Sequence, residues 1–242
     1  MTGASGQLGT AIAGALAERG ASLVLVDLRE PALATVEDQL AGADVLSLAE
    51  DLTSDGAPQR VVARALEAFG RVDVLVNNAA VEGPIGPVEA IPEADVRKVF
   101  EVNVFGLLRM TTALLSHLTD RGTGRIVNIA SGAGLAGTGF MAAYSSSKHA
   151  VVGLTRSIAQ EVAGRGVTVN AVCPGCVDSP MMDRIESRLG ELQGRPVSFT
   201  SAIPMGRYSK PAEVADLVAY LALDAPPYIT GAALVIDGGL RA

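Results

Sequence analysis

Segments that read as buried strand alternate with segments that read as amphipathic helix along the whole chain, and this limits the fold more than any other feature. Strands are expected at residues 22–27, 44–48, 72–77, 125–130, 167–173 and 233–236. Helices are expected at 7–19, 30–40, 57–69, 93–118, 143–163 and 212–223. Gly20, Gly70 and Gly164 stand where helix C-terminal caps belong, and Pro31, Pro92 and Pro211 stand near helix starts. Such alternation specifies an α/β, Rossmann-like, doubly wound parallel sheet with right-handed crossovers and helices on both faces. Residue usage agrees: 49% of the chain is hydrophobic but only 4% aromatic, so the core is built from the small side chains that buried parallel strands favour. No linker or repeat divides the chain, and one domain spanning 1–242 is expected. Only residues 174–208 break the rhythm, with Met181, Met182, Phe199 and Met205 among prolines, glycines and charges. A long irregular insertion after a strand's carboxyl end suits a lid over the cleft there.

The formal charge of -7 and pI near 4.9 exclude a basic face for nucleic acid. No apolar run reaches the length of a membrane span, and no charged segment followed by an apolar one marks an export signal. The chain reads as soluble and cytoplasmic. Cys173 and Cys176 frame a Cys-Pro-Gly-Cys sequence, but it follows a late strand and not the first, where a redox dithiol would sit, so Cys173 reads as a small core residue. His117 and His149 lack neighbouring ligands at metal spacing, and no metal is expected.

The first helix is preceded by Thr2-Gly3-Ala4-Ser5-Gly6-Gln7-Leu8-Gly9. Glycines remove side chains where backbone must approach a pyrophosphate at a helix N-terminus. Asp27 ends the next strand, at the spacing of an acid that accepts from ribose hydroxyls and repels a 2′-phosphate. Leu28 follows it where an arginine would welcome that phosphate; Arg29 is the one counter-signal, and NAD is expected over NADP. Asp51-Leu52 and Asn77-Asn78-Ala79-Ala80 end the following strand regions, where a dinucleotide lies in such a sheet. Asp51 could accept from the adenine amino group while Leu52 covers the ring; ordinary turn chemistry would also favour Asp and Asn there.

Tyr144 and Lys148 lie four residues apart at a helix start and therefore share a face. A phenol ionises near pH ~10. An ammonium one turn away would lower that value, as a general acid/base at neutral pH requires. Ser131 ends a strand and can hydrogen-bond the same oxygen. Asn103 lies mid-helix, where asparagine is a poor helix former, and a water held through its backbone carbonyl would give it a task.

With these residues in view, the chain resembles the short-chain dehydrogenase/reductase family over nearly its whole length. The matching pieces are Thr2-Gly3, Asp51, Asn77-Asn78-Ala79, Asn103-Val104-Phe105-Gly106, Ser131, Tyr144 with Lys148, Asn170, Pro174-Gly175 and Asp237-Gly238-Gly239. The resemblance implies a catalytic tetrad of Asn103, Ser131, Tyr144 and Lys148. Tyr144 would exchange the proton, Ser131 would orient the substrate oxygen, Lys148 would also hold the nicotinamide ribose, and Asn103 would support a water relay. Cofactor contacts are expected at Gly3, Ser5, Gln7, Leu8, Gly9, Asp27, Leu28, Asp51, Leu52, Asn78, Ala79, Tyr144, Lys148, Pro174, Gly175, Val177 and Ser179. A small-molecule pocket is expected around Ala133, Phe140, Met141, Cys176 and Met181. Homotetramers or homodimers built on the fourth and fifth interstrand helices and the C-terminal strand are implied as well.

Two departures from the family pattern carry expectations of their own. Gln7 stands where a glycine is usual, so cofactor binding is expected to be weaker or altered. The family's first strand precedes Thr-Gly, whereas here only Met1 does, which would leave two strands without central partners. Met1 occupies a position often held by valine, so the natural start is expected several residues upstream. The activity implied is interconversion of a secondary alcohol and a ketone with NAD(H), Asp27 tilting it toward oxidation. The alternatives are a reductase of 3-oxoacyl thioesters or polyketides and, in another class, a catalytically weak nucleotide-binding scaffold.

Overall fold

The computed structural model describes residues Met1–Ala242. Six parallel strands form: β1 (Leu23–Asp27), β2 (Val45–Ala49), β3 (Val74–Asn77), β4 (Gly124–Ile129), β5 (Val167–Pro174) and β6 (Ala233–Ile236). They divide into a two-stranded sheet, β1-β2, and a four-stranded sheet in the order β3-β4-β5-β6. β1 and β3 flank a seam in which only Met1 and Thr2 lie. The Thr2 N–H donates to the Val76 carbonyl at 3.0 Å, and the Val26 N–H donates to the Met1 carbonyl at 3.0 Å. The expected shortage of central partners is thus present, and the strands keep their order around it. The Met1 backbone nitrogen lies 2.6 Å from the Val24 carbonyl.

Helices cover both faces. α1 (Gln7–Ala17), α2 (Glu30–Gln39) and α8 (Pro211–Ala219) share one apolar layer, in which Ile12, Leu16, Leu33 and Val218 meet Leu25, Val76, Val127 and Val172 of both sheets. On the other face α3 (Ala57–Phe69), α5 (Leu107–Asp120) and α6 (Ala142–Val162) pack Val61, Leu114, Leu118 and Ile158 against Val26, Leu75, Ile126 and Val169. All eight residues of β5 are buried, which is why it reads as an unbroken apolar run.

Helix boundaries depart from expectation in three places. The helix expected at 93–118 is one rod with a widened turn: α4 (Glu93–Phe100), a π-helical turn Glu101–Gly106, then α5. This rod, Glu93–Asp120, is long and apolar enough by composition to cross a bilayer, but Leu107, Met110, Leu114 and Leu118 bury its apolar face in the core. Gly164 is not the cap after α6; the chain makes a 3-10 turn at Ala163–Arg165, and Gly166 takes the left-handed conformation (φ 75°). Inside residues 174–208 the chain forms a 14-residue helix, α7 (Pro180–Gln193), held at its start by Pro180 and by the Ser179 hydroxyl, which accepts from the Met182 N–H at 3.3 Å.

A buried polar ladder fixes the sheet's carboxyl edge to the helix that carries Tyr144. Asn77 Nδ2 donates to Asn128 Oδ1 at 2.9 Å and to Thr111 Oγ1 at 3.2 Å; Asn128 Nδ2 donates to Thr155 Oγ1 at 2.9 Å. The ladder runs from β3 through β4 to α6.

Candidate active site

The carboxyl ends of β1, β3, β4 and β5 open into one cavity of about 700 Å³, the position at which open α/β sheets bind ligands. At one end the glycine loop enters α1. A Cβ on Gly3 (φ 63°) would come within 2.7 Å of the Ala79 Cα, and one on Gly9 within 2.0 Å of the Gly3 carbonyl oxygen. These two glycines are therefore required by close backbone approach. Gly6 meets no such crowding and Gln7 is the exposed first residue of α1, so the displaced glycine spacing leaves the loop intact. No side chain caps α1, so its first-turn N–H groups face the cavity beside Ser5, Gln7 and Leu8, a cradle of the kind a pyrophosphate fills.

Loop and strands are tied together by polar contacts. Asp27 accepts from the Ser5 N–H at 2.9 Å and the Leu28 N–H at 2.7 Å. Thr2 Oγ1 accepts from the N–H groups of Asn78 and Ala79, each at 3.1 Å, and Asn78 Nδ2 donates to the Gly3 carbonyl at 2.8 Å. Asp51 accepts from the N–H and hydroxyl of Thr53, which hold its carboxyl below the usual carboxylate range. Leu28, Arg29 and Leu52 complete this end.

At the other end Ser131 follows β4, its hydroxyl accepting from the Ala133 N–H at 3.1 Å. Tyr144 and Lys148 lie on one face of α6, with Lys148 Nζ 5.7 Å from the centre of the Tyr144 ring. The ammonium is buried and donates to the Ile129 carbonyl at 2.8 Å; desolvation brings its pKa from 10.5 down to about 8. Helical spacing predicts that Lys148 lowers the Tyr144 pKa, but in the folded site hydration loss outweighs any such effect. Burial is the largest effect on the phenol and raises its pKa, the Glu82 carboxylate adds to this, and the Ser131 hydroxyl opposes it. The lysine's charge is itself destabilised and spent on a backbone carbonyl.

Asn103 sits in the π-helical turn, almost fully buried and behind the cavity wall. Its amide accepts from the Val81 N–H at 2.8 Å and donates to the Val81 carbonyl at 2.9 Å and to Ser147 Oγ at 3.1 Å. The side chain thereby pins the segment after β3 to the helix bearing Tyr144.

Pro174, Gly175, Val177 and Ser179 line the cavity between the two ends, and Ala133, Met141, Cys176 and Met181 line the catalytic end. Phe140 does not. Its left-handed backbone (φ 64°) turns the ring outward, 43% exposed, while its carbonyl accepts from the Gly86 N–H. Both cysteines are free: Cys173 is buried in β5, and burial pushes the Cys176 thiol up to about 11. His149 contacts only the Ser145 carbonyl of its own helix, and His117 Nε2 accepts from the Val72 N–H.

Several lining residues have no mark in the sequence. Met182, Ile185 and Phe199, within residues 174–208, join the cavity wall, where Ile185 packs on Ile85 and Met141. Arg184 of α7 pairs with Glu82, which follows β3. Leu240 and Arg241 reach in from the C-terminal segment. These meet only through tertiary folding, so no local spacing announces them.

Comparison with known proteins adds to this geometry. The family model described as Enoyl-(Acyl carrier protein) reductase matches residues 3–241. A diacetyl reductase [(S)-acetoin forming] of Staphylococcus epidermidis is 36% identical over 99% of this chain and 96% of its own. An actinorhodin polyketide ketoreductase variant with NADPH superposes with a TM-score of 0.94 at 38% identity, covering 99% of this chain and 95% of that one. An NAD+-bound xylitol dehydrogenase superposes with a TM-score of 0.92 at 35% identity, covering 98% and 96%.

Proposed function

The chain belongs to the short-chain dehydrogenase/reductase family, and from that premise we propose that it interconverts a secondary alcohol and a ketone with NAD(H). The observation that supports this most is the presence in one cavity of Ser131, Tyr144 and Lys148 together with the glycine cradle and Asp27. When bound, NAD(P) supplies the acceptor or donor of the hydride at the carbinol carbon. The protein's own residues handle the rest. In reduction the Tyr144 hydroxyl gives its proton to the carbonyl oxygen, and in oxidation the phenolate form of Tyr144 takes the alcohol proton. Ser131 holds that oxygen and Lys148 holds the nicotinamide ribose. Asn103 acts behind them as a positioning residue through Val81 and Ser147.

The dinucleotide would lie with its pyrophosphate on Gly3–Gly9 and its adenosine ribose on Asp27. Asp51 and Leu52 would take the adenine. Asn78, Ala79, Pro174, Gly175, Val177 and Ser179 would line the way to the nicotinamide. Asp27 favours NAD because a 2′-phosphate would meet its carboxylate; Arg29, exposed at the same end, is the one opposing charge. Steady-state turnover of a panel of secondary alcohols and ketones with both cofactors tests the reading. Tight NADH binding without turnover of any compound would instead support a nucleotide-binding scaffold.

A 3-oxoacyl thioester or polyketide reductase is the second reading, favoured by the likeness to the actinorhodin ketoreductase and the apolar roof of Met181, Met182 and Phe199. Reduction of an acetoacetyl thioester faster than any simple ketone would select it. We also propose a cytoplasmic homotetramer or homodimer. Val235 on the edge strand β6 and Phe105 and Tyr220 on the helical flanks stay exposed, the apolar side chains such an assembly would cover; sedimentation of the purified chain tests the assembly.

A further inference from the structure

The C-terminal segment sends one cation into the catalytic end of the cavity. Arg241 lines it, and its Nε donates to the Gly132 carbonyl at 2.9 Å, directly after Ser131. Gly132 is not in a left-handed conformation, so its backbone does not call for glycine. A Cβ there would lie 2.8 Å from Arg241 Nε and 3.2 Å from Cζ, so any side chain at 132 would push the flexible end of Arg241 aside. Glycine at 132 is what lets the guanidinium lie flat against the backbone.

That guanidinium has no carboxylate partner within salt-bridge distance and spends one of its donors on Gly132, leaving the Nη groups free. The other cations lining this end are already committed, and the carboxylates of Asp237 and Glu186, whose fields reach Cys176, make no ion pair with Arg241. Arg184 is paired with Glu82, and Lys148 with the Ile129 carbonyl. The acids Asp27, Glu50 and Asp51 lie at the opposite end. A planar, permanently charged fork beside the reacting position suits a carboxylate.

Resting on the oxidoreductase reading above, we propose that Arg241 is a specificity-determining residue and that the substrate is a short secondary hydroxy acid or the matching oxo acid. Its carboxylate lies on the free Nη groups of Arg241 while its hydroxyl or carbonyl oxygen lies between Ser131 and Tyr144. Because Ser131 and Gly132 are consecutive, only a few carbons separate the two groups.

The test compares short secondary hydroxy acids with their methyl esters, pair by pair, in the wild-type chain and in Arg241→Gln. In at least one pair the acid is expected to be preferred in kcat/KM by about tenfold or more, and Arg241→Gln removes that preference mainly through KM. Gly132→Ala, which displaces the guanidinium, removes it as well. NADH fluorescence titration reports whether each variant keeps its cofactor site. No acid preference in any pair, a preference that survives Arg241→Gln, or a tenfold loss of NADH affinity in Arg241→Gln overturns the assignment. Turnover of neutral alcohols alone overturns it too while leaving the reaction class standing, whereas no turnover of any compound brings down the reading beneath it.

Discussion

Ser5 donates its backbone N–H to the Asp27 carboxylate at 2.9 Å, so the residue proposed to select the cofactor also anchors the glycine loop. Asp27→Asn keeps one acceptor oxygen, for the Ser5 N–H at the expense of the Leu28 N–H, while removing the charge that repels a 2′-phosphate. The ratio of kcat/KM for NAD+ over NADP+ is expected to fall by about tenfold or more, the size of one charged contact. A ratio unchanged in Asp27→Asn would remove Asp27 from cofactor selection.

Replacing Tyr144 by Phe deletes the hydroxyl and keeps the ring against Lys148. Turnover is expected to drop by about 10²–10⁴, the usual contribution of a positioned acid/base. NADH affinity should stay within a factor of a few. Residual activity near wild type would place the proton transfer elsewhere.

Lys148 carries a stability cost that depends on pH. Its folded pKa of about 8 lies below the usual 10.5, so between these values the unfolded chain binds the extra proton. Stability therefore rises with pH across this window, and below it the full burden of the buried charge is present, on the order of 3 kcal/mol. Chemical denaturation of the wild type relative to Lys148→Met should show this rise between pH 8 and 10.5 and a flat difference below. A difference without slope would mean the ammonium is not desolvated.

The Glu82–Arg184 pair joins α7 to the segment after β3. Glu82 is largely buried; burial alone would raise its pKa, but the hydrogen bond and charge of Arg184 outweigh this and hold it low. Arg184 is more than half exposed, so the pair is worth about 0.2–1 kcal/mol. Arg184→Ala is expected to raise substrate KM about two- to fivefold with little change in kcat. Kinetics indifferent to Arg184→Ala would show that the apolar packing of Ile185 and Leu189 suffices to hold α7.

Leu25 is fully buried between the two helical layers, in the strand that ends at Asp27. Leu25→Ala should cost about 2–5 kcal/mol of unfolding free energy, measured by urea titration.

How far the sequence disclosed the fold depends on the range of the interactions involved. Strands such as β5 are continuous apolar runs, and their burial follows from that pattern. Tyr144 and Lys148 were legible because a helix brings residues four apart onto one face. The π-helical turn at Glu101–Gly106 was not, since its driving contacts run from Asn103 to Val81 and Ser147, which lie far off in the chain. Helix α7 hid among prolines and glycines because its apolar partners, Ile85 and Met141, belong to other elements. Phe140 resembled a pocket residue by composition, and a single left-handed dihedral removed it. The direction of the Tyr144 shift escaped because helical spacing reports proximity to a charge but says nothing of hydration.

The seam between β1 and β3 bears on how a ligand and the fold depend on each other. The adenosine end of the cavity stands on the two-stranded piece, while Ser131, Tyr144 and Lys148 stand on or beside the four-stranded one. A dinucleotide laid across the cavity would touch both sheets, adding to the apolar layers that already join them, and its binding free energy would oppose their parting. Amide protons of β1 and β2 should then be the first to exchange without cofactor and slow most on its addition. Bound there, the coenzyme would be a rivet as well as a reagent.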